Sequence, residues 1–152
     1  MSKLYINTDG GSRGNPGPAA IGIVFCDESE KVLYSHKEFI GEGKTNNEAE
    51  YTALIRAFEI LPKSKWFSDH DGNGGEVICR LDSQLVVEQV NGNYKIKQEH
   101  LKILLERIKT LYQTYHLKIS FIHIPREDNK LADKLVNEAL DETLQMKNKN
   151  DG

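Results

Sequence analysis

Leu4, Ile6 and Thr8 alternate with Tyr5, Asn7 and Asp9, the period of two that marks a half-buried strand. Two more strands follow over 19–26 and 31–40, and the polar run Asp27-Glu28-Ser29-Glu30 between them predicts a hairpin. From Asn46 to Leu61 the apolar period lengthens to that of a helix, which Pro62 stops. A strand over 76–82 and a short helix over 83–90, ended by Asn91-Gly92, come next. A long amphipathic helix spans 98–115, a strand ending at Pro125 spans 118–124, and a last helix spans 128–144. The order β-β-β-α-β-α-α-β-α predicts one α/β domain over 1–144, with an antiparallel hairpin edge on an otherwise parallel five-stranded sheet. Gln145–Gly152 is polar and reads as a disordered tail.

Composition narrows the class only a little. Hydrophobic content of 38% and charged content of 28% suit an ordinary globular domain. No stretch approaches the ~20 apolar residues a bilayer span needs, and MSKLYINTDG has no apolar signal segment, so the expected compartment is the cytoplasm. Cys26 and Cys79 lie inside strands and read as free buried thiols. The net charge of −3 does not announce a nucleic-acid partner. Between Asn93 and Lys118, however, six Lys/Arg face two Glu. That stripe fits either phosphate contact or a solvated helix face.

Four carboxylates stand out among the 23 Asp and Glu. Asp9 and Asp82 close strands, where ligands of open α/β sheets collect. Glu50 shares a helical face with Leu54, Ala57 and Leu61, whereas Glu48 shares one with Thr52, Ile55 and Glu59. Glu50 therefore points to the sheet, and a core-facing Glu without a basic partner is costly unless it binds a cation. Asp133 borders the stripe of Leu135, Val136, Ala139 and Leu140 one turn upstream. Asp128 is the better candidate for capping that helix. Separated carboxylates without a Cys or His cluster suit a hard cation, Mg²⁺ or Mn²⁺, rather than zinc. Such sites serve phosphodiester or phosphoryl chemistry.

The runs TDGGSRGNPGPA, TNNEAEY, LDSQLVV and NKLAD, in this order, resemble type 1 ribonuclease H, which cuts the RNA strand of RNA–DNA hybrids. The resemblance spans about Lys3 to Leu140 and implies helices on both sheet faces, with the strands of Asp9 and Asp82 as neighbours. It implies two Mg²⁺ ions (Mn²⁺ as an alternative) ~3.5–4 Å apart. Asp9 would contact both, Glu50 and Asp82 would complete one site, and Asp133 the other. Products would carry a 5′-phosphate and a 3′-hydroxyl. For substrate binding it implies backbone contact at Gly10 and Gly11, where missing side chains admit a sugar-phosphate chain. Asn15, Asn46 and Asn47 would touch the backbone too, one of the latter two also capping its helix. Thr45 matches a residue that holds a DNA-strand phosphate, and Lys44 stands where an Arg often helps it. Ser83 and Gln84 would read 2′-hydroxyls or base edges in the minor groove, Ser83 also being a natural N-cap. The partner is the hybrid, with a monomer sufficient and no membrane involved.

The chain departs from that pattern in three places. The connection Ile124-Pro125-Arg126-Glu127-Asp128-Asn129 lacks the mobile His many relatives carry, and His123 belongs to the strand. Glu127 then has two readings: a proton-transfer or metal-release group, or a plain loop carboxylate. The long basic handle of some relatives is absent, leaving Lys95 and Lys97 to grip substrate with salt-sensitive affinity. Lys63–Gly75 is a long connection in which Asp69-His70-Asp71-Gly72-Asn73-Gly74 resembles the start of a calcium loop. Its twelfth position is Arg80 rather than the closing Glu, so the segment reads as a flexible solvent loop with Trp66 and Phe67 pinning its base. Two other functions are weighed. An aspartyl-phosphate phosphatase wants a second Asp two residues from Asp9, where Asn7 and Gly11 stand. A catalytically weak hybrid-binding module would be expected to lack a carboxylate.

Overall fold

The computed structural model describes residues 2–151, and its core is a five-stranded sheet in the order β3-β2-β1-β4-β5. β1 (Lys3–Ser12) lies at the centre, antiparallel to β2 (Gly17–Cys26) and parallel to β4 (Glu76–Leu81). β3 (Val32–Lys44) and β5 (Lys118–His123) form the edges. The β2–β3 turn is the expected hairpin, closed by the Asp27 N–H to the Lys31 carbonyl and by three bonds that Asp27 Oδ1 accepts from Ser29 and Lys31.

Helices cover both faces. α1 (Asn46–Ile60) and α4 (Glu99–Tyr112) take one, with Tyr51, Leu54 and Phe58 fully buried on Leu4, Ile6 and Ile21. α5 (Lys130–Asp151) takes the other, laying Val136, Ala139 and Leu140 on Ala20, and Ala132 and Leu135 on Val24. Glycine sets how closely two of these helices approach. A Cβ on Gly10 would strike the Ala49 carbonyl of α1 and lie 2.7 Å from Glu50 N. A Cβ on Gly22 would strike the Ala132 carbonyl and lie 2.9 Å from Leu135 Cβ.

Three expectations change. The segment 63–75 is ordered: a 3-10 turn over Leu61–Lys63 leads into α2 (Lys65–His70), which Ser64 caps by accepting from Phe67 N–H. Trp66 stacks on His70, and Phe67 meets Tyr115 edge-on, so aromatic packing fixes what polar composition suggested was loose. The expected tail from Gln145 continues α5 as helix through Asp151, past the boundary drawn at Leu144. Asp128 does not cap α5 but closes a 3-10 turn over Arg126–Asp128, and the Asn129 carbonyl accepts the Asp133 N–H instead. Cys26 and Cys79 are buried and free, on the two strands flanking β1.

Candidate active site

β1 runs beyond Asp9 because its antiparallel pairing with β2 continues to Ser12, whereas its pairing with β4 stops at Thr8–Leu81. Asp9 therefore stands where two parallel strands part, and Asp82 follows directly on the second of them. Glu50 arrives from the first turns of α1, seated by the bare Cα of Gly10. Ligand atoms of Asp9, Glu50 and Asp82 all lie within 4.8 Å of one another. Asp133, from the start of α5, lines the same cleft, of about 390 Å³. Gly22, paired with Asp9 across the sheet, is what lets that helix come down close enough.

Asp9 and Glu50 are 7% and 6% exposed, so their charges meet little water. One backbone N–H, that of Gly10, donates to both Asp9 Oδ1 at 3.0 Å and Glu50 Oε1 at 3.1 Å. Glu50 Oε2 is buried with no hydrogen-bond partner. Burial, reinforced by the charges of Asp82 and Asp133, pushes Asp9 up from 3.8 to about 7, against the lowering effect of its bond to Glu50. Burial and then Asp9 push Glu50 well above the ordinary carboxylate range. An orphaned buried oxygen within a knot of carboxylates fits a divalent cation, which would satisfy the oxygen and restore both charges.

A pH dependence follows. Both carboxyls hold protons more tightly folded than unfolded, so between about pH 4 and 7 the folded state binds more protons and stability falls as pH rises. Thermal melts in EDTA should show this loss, and added Mg²⁺ should raise the midpoint by more at pH 8 than at pH 5. Equal Mg²⁺ shifts at both pH values would contradict the coupling.

A larger cavity, about 820 Å³, lies at the other end of the sheet, lined by Leu4, Phe25, Tyr34, Ile60 and Trp66 among others. It is mainly apolar and holds none of the four carboxylates, so size does not mark the reactive site here.

A family profile described as reverse transcriptase-like matches residues 7–139. Bifunctional protein Rv2228c of Mycobacterium tuberculosis is 38% identical over 144 residues, covering 94% of this chain. The chain spans only 37% of that relative's length. Ribonuclease H of Pseudomonas fluorescens is 32% identical, with 93% of each chain covered. The crystal structure of LC11-RNase H1 in complex with an RNA/DNA hybrid superposes with a TM-score of 0.84 at 46% identity, over 93% of this chain and 99% of that one. The chain belongs to the type 1 ribonuclease H family.

Within this ribonuclease H fold the other expected site residues divide into two sets. Gly10, Gly11, Asn46, Asn47 and Ser83 line the cleft with the carboxylates. Gly10 is also a packing residue, its missing Cβ admitting the Ala49 carbonyl of α1; a Cβ on Gly11 would meet only Val136 Cγ1, at 3.6 Å. Neither Asn46 nor Asn47 caps α1, because Thr45 accepts the Glu48 N–H. Asn46 instead braces the β1–β2 turn: its Oδ1 accepts from Ser12 N–H, and its own N–H donates to Asn15 Oδ1. Ser83 caps α3 (Gln84–Val90) through the Val86 N–H. Asn15, Lys44, Thr45, Gln84, Lys95 and Lys97 stand outside the cleft lining, Asn15 and the last three exposed. Part of the basic stripe is spent internally, Arg107 pairing with Glu59 and Lys102 with Glu99.

Glu127 is exposed on its 3-10 turn and outside the lining, whereas its neighbour Arg126 lines the cleft. Arg13, Arg126 and Asn137 are cleft residues that the sequence reading did not single out. Asn129 is a fourth residue of note: 1% exposed, it donates through Nδ2 to the Thr8 carbonyl and so ties the strand before Asp9 to the helix of Asp133. Its sequence signal was its place at the head of the NKLAD run, four residues before Asp133.

Proposed function

We propose that the chain is a metal-dependent endoribonuclease that hydrolyses the RNA strand of RNA–DNA hybrids, leaving 5′-phosphate and 3′-hydroxyl ends. The convergence of Asp9, Glu50 and Asp82 within 4.8 Å, around an unpartnered buried Glu50 oxygen, carries this reading. Asp9, Glu50, Asp82 and Asp133 would hold two Mg²⁺ ions, with Mn²⁺ as the alternative. The ions would supply activation of the attacking water and neutralisation of charge on the phosphate and leaving oxygen. Asp9 and Glu50 are kept in place by the shared Gly10 N–H. Gly11, Asn47 and Ser83 present small or neutral polar groups to the backbone and its 2′-hydroxyls. Lys44, Thr45, Gln84, Lys95 and Lys97 extend the binding surface beyond the cleft. A monomer is the expected working form. Two free thiols fit a reducing, cytoplasmic setting, and among the described residues no helix is long and apolar enough to cross a membrane.

The test is cleavage of an end-labelled RNA–DNA hybrid beside matched RNA–RNA and DNA–DNA duplexes, with Mg²⁺ and with EDTA. Metal-dependent cutting of the hybrid alone supports the reading; binding without cutting would replace it with a hybrid-binding module. Arg126 lines the cleft, and its positive charge would favour a transition state that gains negative charge. Arg126→Ala should lower kcat about tenfold or more, while Glu127→Gln should change it less than about twofold. The opposite order in single-turnover rates would return the missing-His role to Glu127.

A further inference from the structure

Two arginines, Arg126 and Arg13, line the carboxylate cleft. Arg13 lies in the turn between β1 and β2. Its Nη1 lies 2.7 Å from Asp141 Oδ1, and its Nη2 donates to Asn137 Oδ1 at 3.3 Å. Both partners sit on α5, and Asn137 is one turn beyond Asp133, whose carbonyl accepts the Asn137 side-chain N–H at 3.1 Å. Side chains four apart on a helix stand ~5–6 Å from each other. The Arg13 fork is thus about one nucleotide's reach from the acidic centre. Arg13 and Leu140 also line a second, smaller cavity of about 70 Å³ next to the cleft.

The Asp141 contact is a weak hold. The two side chains are 40% and 58% exposed, and ion pairs in such surroundings contribute little. A phosphodiester offers two non-bridging oxygens, which share one negative charge, to the same planar fork, a geometry that arginine matches and lysine does not.

We propose that Arg13 grips the RNA phosphate adjoining the one over the four carboxylates, and that it exchanges Asp141 for that phosphate when the hybrid docks. The proposal rests on the hybrid-hydrolysis reading. In the free protein Asp141 keeps the fork aligned across α5; during docking it competes with the substrate. Because the contact is to the backbone, it positions the strand and carries no base preference.

The experiment begins with wild-type cleavage of the hybrid, whose failure would count against the functional reading rather than against Arg13. Given cleavage, Arg13→Ala should lower kcat/KM about tenfold, mainly through KM, on hybrids of differing sequence alike. With Asp9→Asn as background, so that hybrid is bound but not consumed, adding Arg13→Ala should flatten the log–log salt dependence of binding by close to one. Asp141→Asn should tighten binding about threefold. The decisive arm uses hybrids with one uncharged methylphosphonate at either position next to the scissile phosphate. At one of the two, Arg13→Ala should cause no further loss. An unchanged KM and salt slope in Arg13→Ala would overturn the proposal. So would the same tenfold loss on both methylphosphonate hybrids, which would mark Arg13 as a support of the turn.

Discussion

Asp9→Asn is expected to lower hybrid cleavage at least about a thousandfold while making the metal-free protein more stable at neutral pH. The two effects share one cause. Asp9 is buried beside Glu50 and feels Asp82 and Asp133, so its charged form is disfavoured until a cation compensates it. The neutral amide removes that repulsion and can still accept the Gly10 N–H. It cannot supply the anionic oxygen that a hard cation selects. Single-turnover cleavage measures the first effect, and melts in EDTA at pH 8 the second, with a rise of a few degrees expected for a domain of this size. A variant that is inactive but less stable would mean that Asp9 serves the fold more than a cation. One that cleaves at a near-normal rate would remove the metal reading altogether.

Gly10→Ala should cost about 3 kcal/mol or more, enough to prevent or greatly weaken folding. The added methyl would meet the backbone of α1 at Ala49 and Glu50, which no side-chain rotation can relieve. The helix would have to lift from β1 and carry Glu50 away from Asp9, so activity should fall even in whatever fraction folds. Gly11→Ala is the matched comparison. Its methyl would meet Val136 Cγ1 at 3.6 Å, an ordinary contact, and the change should stay within about 1 kcal/mol. Urea unfolding of both variants distinguishes them, and equal midpoints would mean that α1 does not rest on Gly10 as described.

These adjacent glycines show how far the sequence could be read. Both stood out beside Asp9 and both line the cleft, yet only the packing of α1 showed that Gly10 also sets how closely that helix sits. The choice of Glu50 over Glu48 needed no structure, because helical spacing alone puts one with Leu54 and Ala57 and the other with Thr52 and Glu59; the burial agrees, with Glu50 6% exposed. Capping was harder to read. Thr45, Asn46 and Asn47 are all chemically able to cap α1, and the cap fell to Thr45 once Asn46 was drawn to the β1–β2 turn. Local composition failed for 63–75 and for 145–151, where polar residues suggested disorder. In the first, Trp66 and Phe67 find aromatic partners far along the chain or one turn away; in the second, α5 simply continues.

Periodicity and motif order determined the succession of elements apart from α2, the mixed sheet, the choice of the four carboxylates and the family. Each of these depends on residues close together in the chain or on fixed spacing along it. Tertiary structure alone decided which carboxylates share a cation-sized space, that Gly22 lets α5 bring Asp133 to the cleft, and that Arg13 and Arg126 line that cleft. Such facts depend on how near separate elements come, and that distance is set by side chains, or their absence, on strands and helices remote in sequence.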